Sequence, residues 1–374
     1  MSQGDAPTDL PPGSVTSDYD YHLPPDRIAR YPAERRDGSR LMVVPPVGPF
    51  GHRVFREVTE LFRPGDVLVL NESRVLPARL LGQKPSGAPA EVLLLRPWEG
   101  GEGAGGQGGA TDPTLWEALV RPGGKLKPGR RVEVAPELSV EIVDSTGDGG
   151  RVVRLVTPLP VEEALARHGH VPLPPYLDRP DEALDRERYQ TVYARTPGSV
   201  AAPTAGLHFT PELLAGVEAS GVGLARVTLH VGIGTFRPME VEDPSRHAMH
   251  REWWEVRPEA SDMVNAAREA GGRIWAVGTT AVRTLETAGA GGSGLRSGSG
   301  ETDLFIRPGF SFQVVDGLIT NFHLPRSTLL MLVAGMAGYR RTMDAYAEAI
   351  HEGYRFYSYG DAMAILPRES RDGG

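Results

Sequence analysis

Residues 66–74, DVLVLNESR, pass from a continuous apolar run into the polar group Asn71-Glu72-Ser73-Arg74. An unbroken apolar run of this length suits a strand covered on both faces, because successive side chains point to opposite sides of a sheet. The polar residues then fall at the strand's carboxyl end, where open α/β sheets place their ligands. Residues 41–44, LMVV, have the same character, and both runs are expected near the middle of a helix-flanked sheet. The placement of Asn71-Glu72-Ser73-Arg74 is therefore site-like, and a hinge into the following segment is a reading that can hold beside it.

Working outward, residues 75–156 change texture. EVLLL, TLWEALV, RRVEVA, LSVEIV and RVVRLV are short strand-like runs separated by Gly and Pro, the pattern of a small antiparallel barrel or sandwich inserted into the larger unit. The expected organisation is a disordered tail over 1–17, an α/β domain over 18–74 plus 157–374, and an inserted β-barrel domain over 75–156. Two glycine-rich stretches, 99–110 and 288–300, are expected to be mobile surface loops without chemistry.

After residue 162 helix and strand signals alternate. Thr210-Pro211-Glu212 opens a helix that Gly221 stops, and a strand follows over 222–231 with His230 at the end of its polar face. A helix over 258–271, a strand over 273–277 and a helix opened by Gly278-Thr279-Thr280 come next. Residues 312–322 suggest a two-residue hairpin turning at Asp316-Gly317. Ser327 caps a buried helix, and a last helix covers 344–352. The fold class is thus an α/β main domain, its sheet mixed or parallel and flanked by helices, carrying a small antiparallel β-barrel.

At 374 residues, with 40% hydrophobic and 24% charged residues, the chain has enough apolar material for a large interior. It contains no cysteine, which excludes disulfides, thiolate metal sites and cysteine nucleophiles. The longest apolar stretch is too short to span a membrane, and the first residues lack the features of a secretory signal, so a cytoplasmic enzyme is expected. Net charge is −8, yet lysine occurs only at Lys84, Lys125 and Lys127. The run from Arg121 to Arg131 holds five cations and no acid, among them Lys125, Lys127, Arg130 and Arg131. Such a run can grip phosphates, or it can be a solvated turn.

Candidate chemistry concentrates in the second half. His208 follows the small-residue run 201–206, which includes Thr204 and suits close approach of backbone to a ligand; His230 and His323 follow predicted strands. His247, His250 and Glu252 have the residue types of a metal site but not a zinc-helix spacing, so a solvated polar segment is the preferred reading. Gly278-Thr279-Thr280 offers free N–H groups to an anion, with Arg283 and Glu286 one turn on. No Gly-x-Gly-x-x-Gly opens a helix after a strand, and no phosphate-loop lysine motif is present. A metal-dependent hydrolase and a non-catalytic RNA-binding module are the competing classes.

Several ordered segments together resemble the S-adenosylmethionine:tRNA ribosyltransferase-isomerases of queuosine biosynthesis, from Tyr19 to about Leu366. They include RIARYPAERRDGSRLMVV, GDVLVLNESRVLPARL, YQTVYARTPGSVAAPTAGLHFT, VTLHVGIGTFRP, MHREWWEV, VGTTAVRTLE, TDLFIRPGF, DGLITNFHLPRSTLLMLVAGMAG and YRFYSYGDAMAIL. The resemblance implies transfer and isomerisation of the ribosyl part of S-adenosylmethionine onto 7-aminomethyl-7-deazaguanine in tRNA, giving epoxyqueuosine tRNA, adenine and methionine. It implies no metal and no further cofactor, with S-adenosylmethionine and the tRNA as partners; no membrane association and a monomer are expected apart from the resemblance. In that chemistry His208, His230 and His323 are candidate bases, unranked, for the proton next to the sulfonium. Glu252, Glu286 and Asp316 are candidate acids for departing adenine. Thr279, Thr280 and Arg283 are candidates for the methionine carboxylate, and Asn71, Arg74, Thr204 and His250 for other substrate contacts.

Overall fold

Alternating apolar side chains place each inner strand between two hydrophobic layers, and this decides the architecture. The structure, a computed structural model, describes residues 11–98, 100, 112–147, 149–232 and 238–368. The chain opens with β1 (Arg40–Val44), β2 (Gly51–Val54), β3 (Val67–Asn71) and the short β4 (Ser73–Val75). Strands β5 (Arg79–Gln83), β6 (Pro89–Pro97), β7 (Leu115–Arg121), β8 (Arg131–Ala135), β9 (Leu138–Ser145) and β10 (Arg151–Val156) then close an antiparallel barrel. Its interior holds Leu80, Val92, Ala118, Val132, Val140 and Val153, all buried.

The chain returns through α1 (Val161–His168), α2 (Ala183–Arg188), β11 (Thr196–Ser199), α3 (Pro211–Ala219), β12 (Gly223–Leu229), β13 (Glu252–Val256), α4 (Pro258–Glu269), β14 (Ile274–Val277), α5 (Thr279–Ala288), β15 (Gly298–Thr302), β16 (Gly317–Asn321), α6 (Thr328–Ala337), α7 (Tyr339–His351) and β17 (Ala362–Ile365). Nine of the strands form one mixed sheet in the order β15-β13-β12-β3-β14-β16-β17-β1-β2, and β11 pairs with β4 beside it. The block β12-β3-β14-β16 is parallel throughout. Along β3, Val67 and Val69 join one apolar layer while Leu68 and Leu70 join the other. Full burial of each such side chain is worth about 1.5–3 kcal/mol, so a polar substitution there removes the sheet's support on one face.

Several sequence expectations need correction. Residues 41–44 are buried on both faces but lie one strand from the edge, covered by β2. No hairpin turns at Asp316-Gly317: the Gln313, Val314 and Val315 N–H groups bond to the Glu286 carboxylate instead of a strand, and β16 pairs with β14 and β17. The second glycine-rich stretch supplies β15, because backbone pairing with β13 needs no side chains, and Leu295 beside it is buried. The final helix begins at Tyr339, directly after Gly338 ends α6 with φ +92°. Apart from Gly100, the stretch 99–110 lies outside the described residues, as do 1–10. The rest of the expected tail packs on the domain: Thr16 is fully buried, and the Tyr19 hydroxyl donates to the Gly13 carbonyl.

Candidate functional site

Four parallel strands, β12, β3, β14 and β16, end on the same side, and their last residues turn the sheet edge polar. Beyond β14, Gly278 adopts φ +87°, a conformation that favours glycine, and thereby starts α5 with Thr279 and Thr280 at its amino end. At the end of β3, Asn71 is fully buried: its Nδ2 donates to Thr280 Oγ1 (3.1 Å) and the Leu229 carbonyl, and its Oδ1 accepts from Leu229 and Ser73 N–H. At the end of β16, Thr320 and Asn321 lead into His323. Together with the turn Thr204–His208 and the segment around Tyr357, these residues enclose a cleft of about 560 Å³, part of it open to solvent.

The cleft has a consistent chemical character. Thr204, Thr279, Thr280, Thr320, Asn321 and Ser358 supply neutral donors and acceptors, and Tyr176 and Tyr357 form an aromatic wall, their ring centres 4.6 Å apart. Among the described residues lining it there is no carboxylate and no cationic side chain. His323 also lines it. Burial lowers this imidazole's pKa to about 3, so it is neutral at pH 7; Nε2 meets the Thr320 hydroxyl at 2.9 Å. Its backbone N–H donates to the Tyr346 hydroxyl, which fixes the turn.

A family model described as Queuosine biosynthesis protein matches residues 16–365. The chain belongs to that family. Its relatives include the S-adenosylmethionine:tRNA ribosyltransferase-isomerase of Symbiobacterium thermophilum, 53% identical over 353 residues that cover 94% of this chain and 99% of the relative. The protein of the same name from Thermus thermophilus is 52% identical, covering 93% and 98%. A crystal structure of the S-adenosylmethionine tRNA ribosyltransferase of Thermotoga maritima is 39% identical, covers 93% of this chain and 99% of its own, and superposes with a TM-score of 0.52. The enzyme class implied by the sequence resemblance, a ribosyltransferase-isomerase, is the one these relatives carry. The mixed α/β sheet with an antiparallel barrel likewise agrees with the expected fold class.

Within this member of the queuosine biosynthesis family, the candidate site residues separate. His323, Thr204, Thr279 and Thr280 line the cleft, and Asn71 braces it through Thr280. His208 does not line it. It lies behind, stacked on Phe55, with Nδ1 2.7 Å from Ser39 Oγ and Nε2 3.1 Å from Asn321 Nδ2; burial lowers its pKa to about 3. His230 stacks on Trp253 with ring centres 5.0 Å apart, and burial lowers its pKa to about 4; its neighbour Val231, not the imidazole, reaches the cleft. The three histidines thus share no single cavity: His230 and His323 follow strand ends, whereas His208 closes the turn Thr204–His208 behind the cleft.

The acids are placed elsewhere. Glu252 is buried against Arg283, which also donates to the Leu304 and Thr302 carbonyls, so neither side chain offers itself to a ligand in the cleft. Glu286 collects three N–H groups from residues 313–315, and burial raises its pKa. Asp316 is at the amino end of β16, away from the cleft, where it accepts from Ile274 N–H; burial raises its pKa as well. Arg283 and Glu286 therefore make no ion pair with each other. Arg74 and His250 are exposed and do not line the cleft. Among the described residues no group of three or more His, Cys, Asp or Glu is placed to hold a metal, so His247, His250 and Glu252 form no such cluster.

On the barrel, Lys125, Lys127 and Arg130 are exposed on the connection between β7 and β8, and Arg131, also exposed, is the first residue of β8. Leu126 anchors that loop in the barrel core, and Arg151 braces it by donating to the Leu126 and Gly123 carbonyls. Arg131 also pairs with Glu133 at 2.8 Å. Sequence reading missed Thr320, Asn321, Tyr176, Tyr357 and Ser358. Thr320 and Asn321 carry the same signal as Asn71, polar residues closing an apolar strand. The others reach the cleft by tertiary folding alone.

Proposed function

We propose that this chain transfers and isomerises the ribosyl moiety of S-adenosylmethionine onto 7-aminomethyl-7-deazaguanine in tRNA, yielding epoxyqueuosine tRNA, adenine and methionine. The observation that carries the reading is the uncharged, hydrogen-bonding cleft at the shared carboxyl end of four parallel strands, in a chain whose relatives bear the ribosyltransferase-isomerase name. A neutral cleft supports a sulfonium substrate, because no fixed cation opposes its positive charge. His323 is the base we assign to the proton on the ribose carbon bonded to sulfur, being the candidate imidazole that lines the cleft. The N–H groups at the start of α5, with the hydroxyls of Thr279 and Thr280, receive the methionine carboxylate. S-adenosylmethionine is consumed as substrate, with no further cofactor. We assign residues 75–156, the inserted domain, to holding tRNA.

Purified protein incubated with S-adenosylmethionine and tRNA bearing the aminomethyl-deazaguanine is expected to release adenine and to yield the epoxy nucleoside by mass spectrometry; absence of both products refutes the reading. Changing Lys125, Lys127, Arg130 and Arg131 together to Ala is expected to weaken tRNA binding about tenfold. It should also flatten the salt dependence by roughly 0.7–0.9 log units per lost phosphate contact. Arg131 contributes least, since Glu133 already engages it. An unaltered slope shows that the loop is only solvated.

A further inference from the structure

Asn321 is 2% exposed at the end of β16, yet it borders the cleft, and its carboxamide orientation is fixed from two sides. Thr204 Oγ1 donates to Oδ1 at 2.7 Å, and Nδ2 meets His208 Nε2 at 3.1 Å. With Nε2 accepting, the imidazole proton sits on Nδ1, facing Ser39 Oγ at 2.7 Å. A neutral His208 thus pins the amide so that it cannot flip. One amide hydrogen and one oxygen lone pair of Asn321 have no partner among the described residues.

The aromatic wall beside it, two rings inclined at 48°, is held under strain. Tyr357 has φ +73°, a left-handed conformation rare for an aromatic residue, costing roughly 1–3 kcal/mol. It persists because its N–H donates to the Phe322 carbonyl, directly after Asn321, and its carbonyl accepts from Gly360 N–H. The Tyr176 hydroxyl, 2.6 Å from Ser358 Oγ, ties the second ring to the same segment. The backbone is bent where it sets an aromatic ring next to a pinned carboxamide.

We infer that Asn321, between the Tyr176–Tyr357 wall and the His208 brace, is the residue that reads the adenine of S-adenosylmethionine. Its free N–H and C=O match the adjacent acceptor and amino donor that adenine presents on either edge. The buried position suits the smaller of the two substrates, and the aromatic wall suits a purine face. His208 acts through Asn321 and is a positioning residue. This inference rests on the proposed reaction.

The test is equilibrium binding, alone and with unreactive tRNA that carries plain guanine in place of the modified base, comparing S-adenosylmethionine with S-inosylmethionine, in which the amino group is replaced by oxygen. The unaltered protein should favour the adenine form at least tenfold, since an unmatched buried polar pair is left when the amino group is lost. Asn321→Ala, and the near-isosteric Asn321→Asp should the first fail to fold, are expected to abolish that preference. His208→Ala should reduce it, His208→Gln should restore much of it, and Tyr357→Leu should weaken both ligands equally. An Asn321→Ala protein that binds S-adenosylmethionine with its preference intact overturns the inference and leaves the proposed function standing. Loss confined to binding of the modified tRNA overturns it too, by assigning Asn321 to the deazaguanine. Unaltered protein that binds neither ligand, alone or with that tRNA, overturns both readings.

Discussion

At the amino ends of β3 and β14, the Asp66 carboxylate accepts from the Arg273 guanidinium, from Arg63 and Arg273 N–H and from Trp275 Nε1. At the carboxyl ends of the same block of strands, Asn71, Thr280, Asn321 and His323 carry no charge, and Asn321 keeps bonding capacity in reserve. One end spends a full charge and saturates it. The other arranges neutral groups and leaves some of their valences open to a cleft. The difference teaches how one sheet serves two purposes: saturated polar groups lock geometry, while restrained but incompletely bonded ones receive a ligand.

The sharpest way to break this comparison is His323→Ala at the cleft end. Adenine release should fall by about 10²–10⁴-fold, the usual contribution of a general base, while the midpoint of thermal unfolding moves little. A variant that folds and turns over normally removes His323 from the chemistry. The opposite end predicts the opposite profile: Asp66→Ala should lower stability by about 3–5 kcal/mol by leaving Arg273 without its partner, with kcat/KM per folded molecule unchanged. Denaturant melts and kinetics on the same preparation separate the two effects, and a large activity loss in folded Asp66→Ala sinks the division of labour.

A smaller effect lies in the acid range. Burial holds the folded pKa of His208 and His323 near 3, below the ordinary 6.5. The unfolded chain therefore binds more protons, and stability should be complete above about pH 6.5 and fall progressively as pH drops toward 3. Burial pushes the Asp66 carboxyl up, but its bonds to Arg273 and the N–H groups outweigh that and hold it below the ordinary 3.8. Its share of stability is kept until the pH falls below that value. Loss between pH 6.5 and 4 thus reports the buried imidazoles, His230 together with His208 and His323, and His208→Gln should flatten that part of a stability–pH curve. A curve unchanged by His208→Gln would show that this imidazole is not held neutral by the fold.

How much was legible follows from the range of each interaction. Strands β3, β12 and β14 and helices α3, α5 and α6 were readable because apolar alternation, Thr210 and Ser327 caps and Gly278 act within a few residues. The Asp316-Gly317 turn misled because a good local hairpin signal lost to Glu286, 27 to 29 residues away, which captured the N–H groups a strand would have used. Edge strand β15 was hidden because glycine and serine leave no side-chain pattern even where the backbone pairs fully. For the site, sequence placed polar residue types at the strand ends but did not reveal their partners. Arg283 looked free for a carboxylate, and only β13 passing beside α5 gives it Glu252.

From the sequence alone came the α/β class, the inserted barrel, the family resemblance and the corner where strand ends turn polar, since each depends on short-range pattern or on ordered segments of the chain itself. Tertiary structure decided which polar groups stay open. His208 and His323 look equivalent in sequence, yet one braces Asn321 from behind and the other faces the cleft. Solvent access and hydrogen-bond saturation are set by atoms brought together from distant positions, such as Ser39, Thr204, Asn321 and Tyr357, and no local pattern records those meetings.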